Sequence, residues 1–168
     1  MKRLVLAAFL VVSFGALAAP SSADHQDAPY RLTVASHGLT ARATLGSFCQ
    51  SVSYHDGTGS SFCGDAAYPL DTRGRVPAHP GGRVVLETNY PARSVSVAPV
   101  HFSKDGERFR YGESSRARPK GDRRRRWKVL LPNRLERRTR ALDVFVRYSD
   151  GGDASFWAGF KVHPRHSN

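Results

Sequence analysis

The chain has 168 residues and a formal net charge of +12, from 26 lysines and arginines against 14 aspartates and glutamates. Its length is that of one domain, and its two cysteines exclude a scaffold held together by many disulfides. After the N-terminal region, no segment is apolar enough to span a bilayer, which excludes a protein with several membrane helices.

The N-terminus has the three parts of a secretory signal peptide. A positive start is followed by residues 4–17, which are uncharged and almost entirely apolar, and then by small residues that suit a cut after Ala23. A cut after Ala18 also fits. The alternative is a membrane anchor, but the apolar run is shorter than the roughly 20 residues that a span needs. We predict a signal peptide over residues 1–23 and a secreted single domain over residues 24–168.

Alternation of apolar and polar residues dominates the mature chain, and helical periodicity is nearly absent. Seven short segments alternate in this way, with Gly, Pro, Asn and Asp between them: residues 30–34, 39–45, 84–86, 95–99, 127–131, 142–148 and 154–162. The one weak helix candidate, residues 133–140, is better interpreted as a loop. The pattern predicts an all-β fold, an immunoglobulin-like antiparallel β-sandwich of about seven strands.

Cys49 and Cys63 are the two cysteines, and an oxidising compartment would pair them. A bridge between them closes a loop of 15 residues, which is worth about 3 kcal/mol in the chain-entropy model. A redox pair or half of a metal site would be the alternatives, but the spacing is not C-x-x-C. We predict a Cys49–Cys63 disulfide.

The last two alternating segments predict a β-hairpin around the turn-forming residues 149–153. Pairing Tyr148 with Ala154 puts four apolar pairs on one face, and it puts Phe145 opposite Trp157 on an otherwise polar face. One interpretation of this aromatic pair is cross-strand stabilisation of about 0.2–1 kcal/mol under a covering loop. The other is an exposed platform, which makes Phe145 and Trp157 candidate binding residues.

Positive charge is concentrated in one segment. Residues 116–140 hold 12 basic and 2 acidic side chains, so their net charge equals that of the whole mature chain once the signal peptide has removed two positive charges. Residues 116–126 are predicted to be an exposed, mobile loop that enters a strand at Arg126 or Trp127. The candidate binding residues of this segment are Arg123, Arg124, Arg125, Arg126 and Lys128.

Clustered positive charge favours polyanions, because each neutralised anionic group releases counterions. For a secreted protein the expected partners are an anionic polysaccharide, a cell-wall polymer or a membrane surface, with no specific nucleic acid. The alternative is a structural or envelope-associated domain whose charge is incidental, since the mature chain has 20 arginines against 4 lysines and a charge run is usually a solvated loop.

No catalytic constellation is visible in the sequence. None of the seven histidines forms H-E-x-x-H, no G-x-S-x-G occurs, and the carboxylates are spread singly. His163 and His166 are three residues apart but lie in a polar tail, which more often frays than binds metal. The sequence therefore predicts a binding domain with no enzyme activity, cofactor or metal; a hydrolytic enzyme is the least favoured function.

The segment Leu45-Gly46-Ser47-Phe48-Cys49, followed by Cys63-Gly64-Asp65, resembles a group of exported bacterial β-domain proteins. In that group the pattern runs Gly-Ser-Tyr-Cys-Trp, a short loop and then Cys-x-Asp, before several strands. Here Phe48 replaces the Tyr and Gln50 replaces the Trp. The resemblance covers about a ninth of the chain. It implies an exported β domain with a Cys49–Cys63 bridge and carries no activity with it.

Overall fold

The computed structural model of the chain describes residues 30–53, 55–72 and 74–163. The predicted signal peptide and His166 lie outside the described residues. Within the described ranges there are thirteen strands and no helix. The strands are β1 (Leu32–Ser36), β2 (Leu39–Arg42), β3 (Thr44–Ser53), β4 (Gly59–Gly64), β5 (Val76–Ala78), β6 (Arg83–Thr88), β7 (Ala92–Phe102), β8 (Phe109–Tyr111), β9 (Ser115–Arg116), β10 (Arg118–Pro119), β11 (Arg126–Leu130), β12 (Thr139–Tyr148) and β13 (Asp153–Val162).

The strands form two sheets. The small sheet has the order β10-β11-β6-β1-β2, and the large sheet has the order β4-β3-β13-β12-β7-β8, with β9 beside β7 and β5 beside β13. Neighbouring strands are antiparallel, apart from the short pairing of β5 with β13, which is parallel. The predicted all-β class, built from antiparallel sheets, is confirmed.

One core lies between the inner faces of the two sheets. The small sheet contributes Leu86, Trp127 and Val129, and the large sheet contributes Val144 and Phe156, each at most 2% exposed. Successive side chains of a strand point to opposite faces, so apolar residues at every second position all reach this core. Full burial of one such side chain stabilises the fold by about 1.5–3 kcal/mol, and this burial selects which face of each strand points inward.

The seven alternating segments all overlap strands of the structure, but the predicted number of strands is too low. Residues 39–45 divide between β2 and β3 at Ala43, and the strands β4, β5, β8, β9 and β10 were not expected. These five strands are two to six residues long. They are held by backbone pairing to a neighbouring strand, which leaves little trace in the pattern of side chains.

The terminal hairpin is present, but its predicted register is wrong by two residues. Val146 lies opposite Ala154, Phe145 opposite Ser155, and Trp157 opposite Asp143. A shift by two residues keeps every side chain on its predicted face, because side chains alternate with a period of two. The inward apolar set is therefore as expected, whereas the predicted contact of Phe145 with Trp157 does not exist.

The turn of this hairpin is tighter than the turn-forming residues suggested. The Tyr148 N–H donates to the Gly152 carbonyl at 2.8 Å, which leaves residues 149–151 as the loop. Gly151 has a φ of 99°, the left-handed conformation expected at the end of a three-residue hairpin loop. Gly152 can pair with Tyr148 here because it has no side chain. A Cβ at position 152 would collide with the Tyr30 hydroxyl.

The disulfide is confirmed. Cys49 of β3 lies directly opposite Cys63 of β4, and the two sulfur atoms are bonded. The bridge therefore ties an edge strand to the large sheet instead of closing an irregular loop. A disulfide is consistent with an oxidising compartment. No helix in the described part of the chain is long and apolar enough to cross a membrane.

The basic segment is a loop over a shorter range than predicted. Ser115–Arg116 pairs with β7 and Arg118–Pro119 pairs with β11, so the first part of residues 116–126 is strand. Ala117 between them is 8% exposed, and its N–H donates to the Val95 carbonyl at 2.9 Å. Backbone pairing and this one buried methyl group order a stretch that is poor in apolar side chains. Strand β11 begins at Arg126, as predicted.

Candidate anion-binding sites

The outer face of the small sheet is lined with cations. Its strands contain five of them, all exposed and all on the side away from the core: Arg42, Arg83, Arg118, Arg126 and Lys128. We call this set the cationic face. Within the described strands of this sheet, Glu87 is the only carboxylate.

The strand register gives the position of each cation on the sheet. Arg118 lies opposite Lys128, and Arg126 lies opposite Glu87. Residues directly opposite each other in an antiparallel pair share a face, with neighbouring strands about 4.8 Å apart. Four cations therefore cluster on β10, β11 and β6, and Arg42 lies apart from them on β2, because the intervening strand β1 has no charged residue.

One ion pair is present on the cationic face. The Arg126 Nε lies 3.7 Å from Oε2 of Glu87, and both side chains are more than half exposed. An exposed pair of this kind contributes about 0–1 kcal/mol, so Glu87 offsets only a small part of the positive charge and competes weakly with a ligand for Arg126.

The turn that precedes β11 carries three more arginines. Arg123, Arg124 and Arg125 are exposed, but their backbone is held by the core. The Arg124 carbonyl accepts hydrogen bonds from the Ala92 N–H and from Nε1 of Trp127, each at 3.0 Å. We call residues 120–125 the anchored turn, because the Arg124 carbonyl is bonded to buried residues while the three guanidinium groups face solvent.

Thr88 holds the C-terminal end of the anchored turn. The Arg125 carbonyl accepts the Thr88 N–H at 2.9 Å and the Thr88 hydroxyl at 3.2 Å, and the Lys120 N–H donates to the Arg126 carbonyl at 2.7 Å. Arg124 has a φ of 49°, in the left-handed region. The turn continues the surface of the cationic face, because it lies between β10 and β11 at the edge of that sheet.

The structure divides the predicted binding residues between the two sheets. Arg123, Arg124, Arg125, Arg126 and Lys128 belong to the anchored turn and the small sheet, while Phe145 and Trp157 belong to the large sheet. Trp157 is fully buried, so it cannot act as an exposed platform. Phe145 is half-buried and stays accessible.

Trp157 belongs to a second apolar cluster, on the outer face of the large sheet. Its ring lies 5.0 Å from the ring of Phe109, 5.4 Å from Tyr68 and 5.7 Å from Phe102, measured between centroids. The covering loop, one of the two interpretations of the aromatic pair, is therefore present over Trp157 but not over Phe145. Alternation alone does not reveal this cluster, because Tyr68 lies outside the strands.

Asp143 borders the second cluster. Nε1 of Trp157 donates a hydrogen bond to its Oδ1 at 3.1 Å. Burial raises the pKa of the Asp143 carboxyl above its ordinary value, and the hydrogen bond from Trp157 works in the opposite direction. Burial also raises the pKa of Tyr111, with a smaller contribution from the negative charge of Asp143.

A cavity of about 350 Å³ opens on the outer face of the large sheet beside Phe145. Phe145 of β12 lies opposite Ser96 of β7, and Ser96 lies opposite Arg116 of β9. Arg147, two residues after Phe145 on the same face, also lines the cavity. Sequence reasoning missed Arg116 and Arg147 as site residues, because the two-residue strand β9 that brings Arg116 there has no recognisable pattern.

The candidate sites can bind anions through guanidinium and ammonium groups. No group of three or more His, Cys, Asp or Glu side chains in the described ranges is placed to hold a metal ion. Comparisons with protein-family models, with curated proteins and with solved structures found no match for the chain.

Proposed function

We propose that this protein is a secreted, immunoglobulin-like β-sandwich domain that binds an anionic polysaccharide of the cell envelope, without catalysis. The observation that carries the proposal is the charge of one surface. The cationic face has five cations against one carboxylate in its strands, and the anchored turn adds three arginines at its edge. The two antiparallel sheets around one core support the immunoglobulin-like architecture.

A polymer suits this surface better than a compact anion. The cations are distributed over several strands, and neighbouring strands are about 4.8 Å apart. A flat array of separate charges matches a chain with repeated anionic groups. Each contact between a cation and an anionic group releases counterions, so affinity comes from the number of simultaneous contacts.

The same surface suits a polysaccharide better than a membrane. Leu130, which is 65% exposed, and the half-buried Val85 are the apolar side chains of β11 and β6 that share the face with Arg126 and Lys128. Insertion into a bilayer needs a continuous apolar surface beside the cations. Two aliphatic side chains among the cations do not provide that, whereas a hydrated polymer needs none.

The test is retention on immobilised heparin, a sulfated polysaccharide, at low salt. We expect the triple variant Arg118→Gln, Arg126→Gln, Lys128→Gln to lose most of its retention. A matched variant with the same loss of charge, Lys104→Gln, Arg108→Gln, Lys161→Gln, changes three exposed cations outside the cationic face and should be retained like the wild type.

Two results would overturn the proposal. Equal losses in the two triple variants would show that only the net charge matters, as for a structural domain whose charge is incidental. Tighter binding to vesicles of anionic lipid than to heparin, abolished by the same Arg118, Arg126 and Lys128 changes, would make the partner a membrane surface.

A further inference from the structure

The cavity beside Phe145 is lined mainly by serine and arginine, and it lies on the other sheet from the cationic face. Its volume of about 350 Å³ is at the lower end of the roughly 300–1,000 Å³ that small-molecule sites occupy. That size suits one sugar unit and not a polymer segment. A ligand in this cavity would therefore bind independently of a polymer on the cationic face.

Two guanidinium groups of this cavity are available to an anion. Within the described residues, neither Arg116 nor Arg147 forms an ion pair with a carboxylate within 4.0 Å. Asp153 lies opposite Arg147 in the hairpin register, outside the cavity lining. The guanidinium carbon of Arg147 lies 5.8 Å from the centroid of the Phe145 ring, so these two residues of the cavity lining form a cation–π contact.

The rest of the lining is four serines, Phe145 and the buried Val95. Ser94 and Ser96 come from β7, and residues 114–115 add two more serines. A hydroxyl both donates and accepts hydrogen bonds, and so do the hydroxyl groups of a sugar. The half-buried ring of Phe145 offers an apolar surface of the kind that contacts the C–H face of a pyranose.

We propose that this cavity binds a carboxylated sugar, a hexuronic acid or a sugar acid of similar size. Arg116 and Arg147 contact the carboxylate, the serines bond the ring hydroxyls, and Phe145 packs against the apolar face of the sugar. Arginine suits this role because its planar fork of donors matches the two oxygens of a carboxylate.

Simpler ligands leave part of the cavity unused. A neutral sugar would leave the charge of the two exposed guanidinium groups unmatched, because its hydroxyl groups accept weaker hydrogen bonds from them than a carboxylate does. A carboxylate without a sugar ring would use the arginines but not the serines or Phe145. Only a molecule with both parts satisfies the whole lining.

The test is an NMR titration of the isotope-labelled chain with glucuronate, with glucose and acetate as probes of the two parts alone. Glucuronate should shift the amide signals of Phe145, Arg147 and Ser96 in a saturable way. Glucose and acetate should each bind about tenfold more weakly or worse, since each lacks either the charge-assisted hydrogen bonds or the sugar contacts.

Variants assign the binding to the cavity. Arg147→Gln and Phe145→Leu should each weaken glucuronate binding by about tenfold, as expected for one charge-assisted or aromatic contact. Arg116→Gln at an exposed position serves as a further variant that leaves the core intact. Arg31→Gln removes the same charge outside the cavity and should bind like the wild type.

Three results of these titrations would overturn the proposal. Equal affinity for glucose and glucuronate, or for acetate and glucuronate, would overturn the proposal. So would unchanged binding in Arg116→Gln and Arg147→Gln. The heparin variants Arg118→Gln, Arg126→Gln and Lys128→Gln should leave glucuronate binding unchanged, so the failure of one site would not be mistaken for failure of the other.

Discussion

Nε1 of Trp127 donates a hydrogen bond to the carbonyl oxygen of Arg124, 3.0 Å away. The indole is 2% exposed in the core, whereas the Arg124 side chain is exposed to solvent. Together with the hydrogen bonds from Ala92 and Thr88, this contact joins the buried interior to the most basic stretch of the surface. The arginines of the anchored turn are therefore displayed from a fixed backbone, and shortening the side chains of Arg123 and Arg125 should leave the core unaffected.

The left-handed conformation of Arg124 gives a first prediction, on stability. Arg124→Gly should raise the free energy of unfolding by about 0.5–1 kcal/mol, because glycine adopts a positive φ without the steric cost of a Cβ. Arg124→Val should lower it by about 1 kcal/mol or more, because a β-branched residue tolerates that region poorly. Urea denaturation measures both values. Equal stability of the two variants would show that the turn does not hold a positive φ in solution.

A second prediction concerns Glu87, the carboxylate of the cationic face. Glu87→Gln frees Arg126 and should tighten heparin binding by about two- to fivefold, the range expected from the small energy of an exposed ion pair. Glu107→Gln removes the same charge from the turn between β7 and β8 and is the matched control. Equal affinity of Glu87→Gln and the control would show that heparin does not reach this part of the small sheet.

A third prediction concerns Asp143. Its folded-state pKa is raised by burial, so the folded state holds a proton more tightly than the unfolded chain does. The contribution of this proton to the free energy of unfolding is complete below the pKa that Asp143 has in the unfolded chain. It is lost as pH rises through the pKa that Asp143 has in the folded protein. Asp143→Asn keeps an oxygen acceptor for Trp157 and cannot ionise.

The measurement for Asp143 is urea denaturation at several pH values between acid and neutral. We expect the stability of Asp143→Asn relative to the wild type to increase as pH rises and to level off at neutral pH. A gain confined to acid pH, or no dependence on pH, would contradict the assignment.

A fourth prediction uses the position of the disulfide. Strand β4 is at the edge of the large sheet, and five of its six residues are exposed. Replacing Cys49 and Cys63 by alanine should cost up to about 3 kcal/mol, and β4 should open before the core does. Hydrogen–deuterium exchange should rise in residues 50–62 and change little in β12. A uniform rise through β12 would mean that the bridge supports the whole fold. Denatured, unreduced wild-type protein should yield no free thiol.

The sequence predicts the inner face of the fold well, because that face repeats every second residue and its burial is worth several kcal/mol per strand. Val144, Val146 and Phe156 are buried on the core side as expected. The hairpin register escaped prediction because a shift of two residues preserves that face, and turn composition did not distinguish Gly152 in the ladder from Gly152 in the loop.

The candidate sites were predictable only in part. The positive charges of residues 116–140 can be counted in the sequence. Which of the two sheets each charge belongs to depends on which strands are neighbours. Arg116 and Arg118 are two residues apart, yet one pairs with β7 of the large sheet and the other with β11 of the small sheet. Burial of Trp157 depends on Tyr68, from a segment 89 residues earlier, and no local pattern carries that information.

The most direct test of polyanion binding by the cationic face is the salt dependence of heparin affinity, compared between the wild type and the triple variant Arg118→Gln, Arg126→Gln, Lys128→Gln. A plot of log K against log salt concentration has a slope that grows by roughly one for each cation that neutralises an anionic group. We expect the slope of the triple variant to be smaller in magnitude by about two to three, and that of Lys104→Gln, Arg108→Gln, Lys161→Gln to equal the wild-type slope. Identical slopes in all three proteins would contradict polyanion binding by this face.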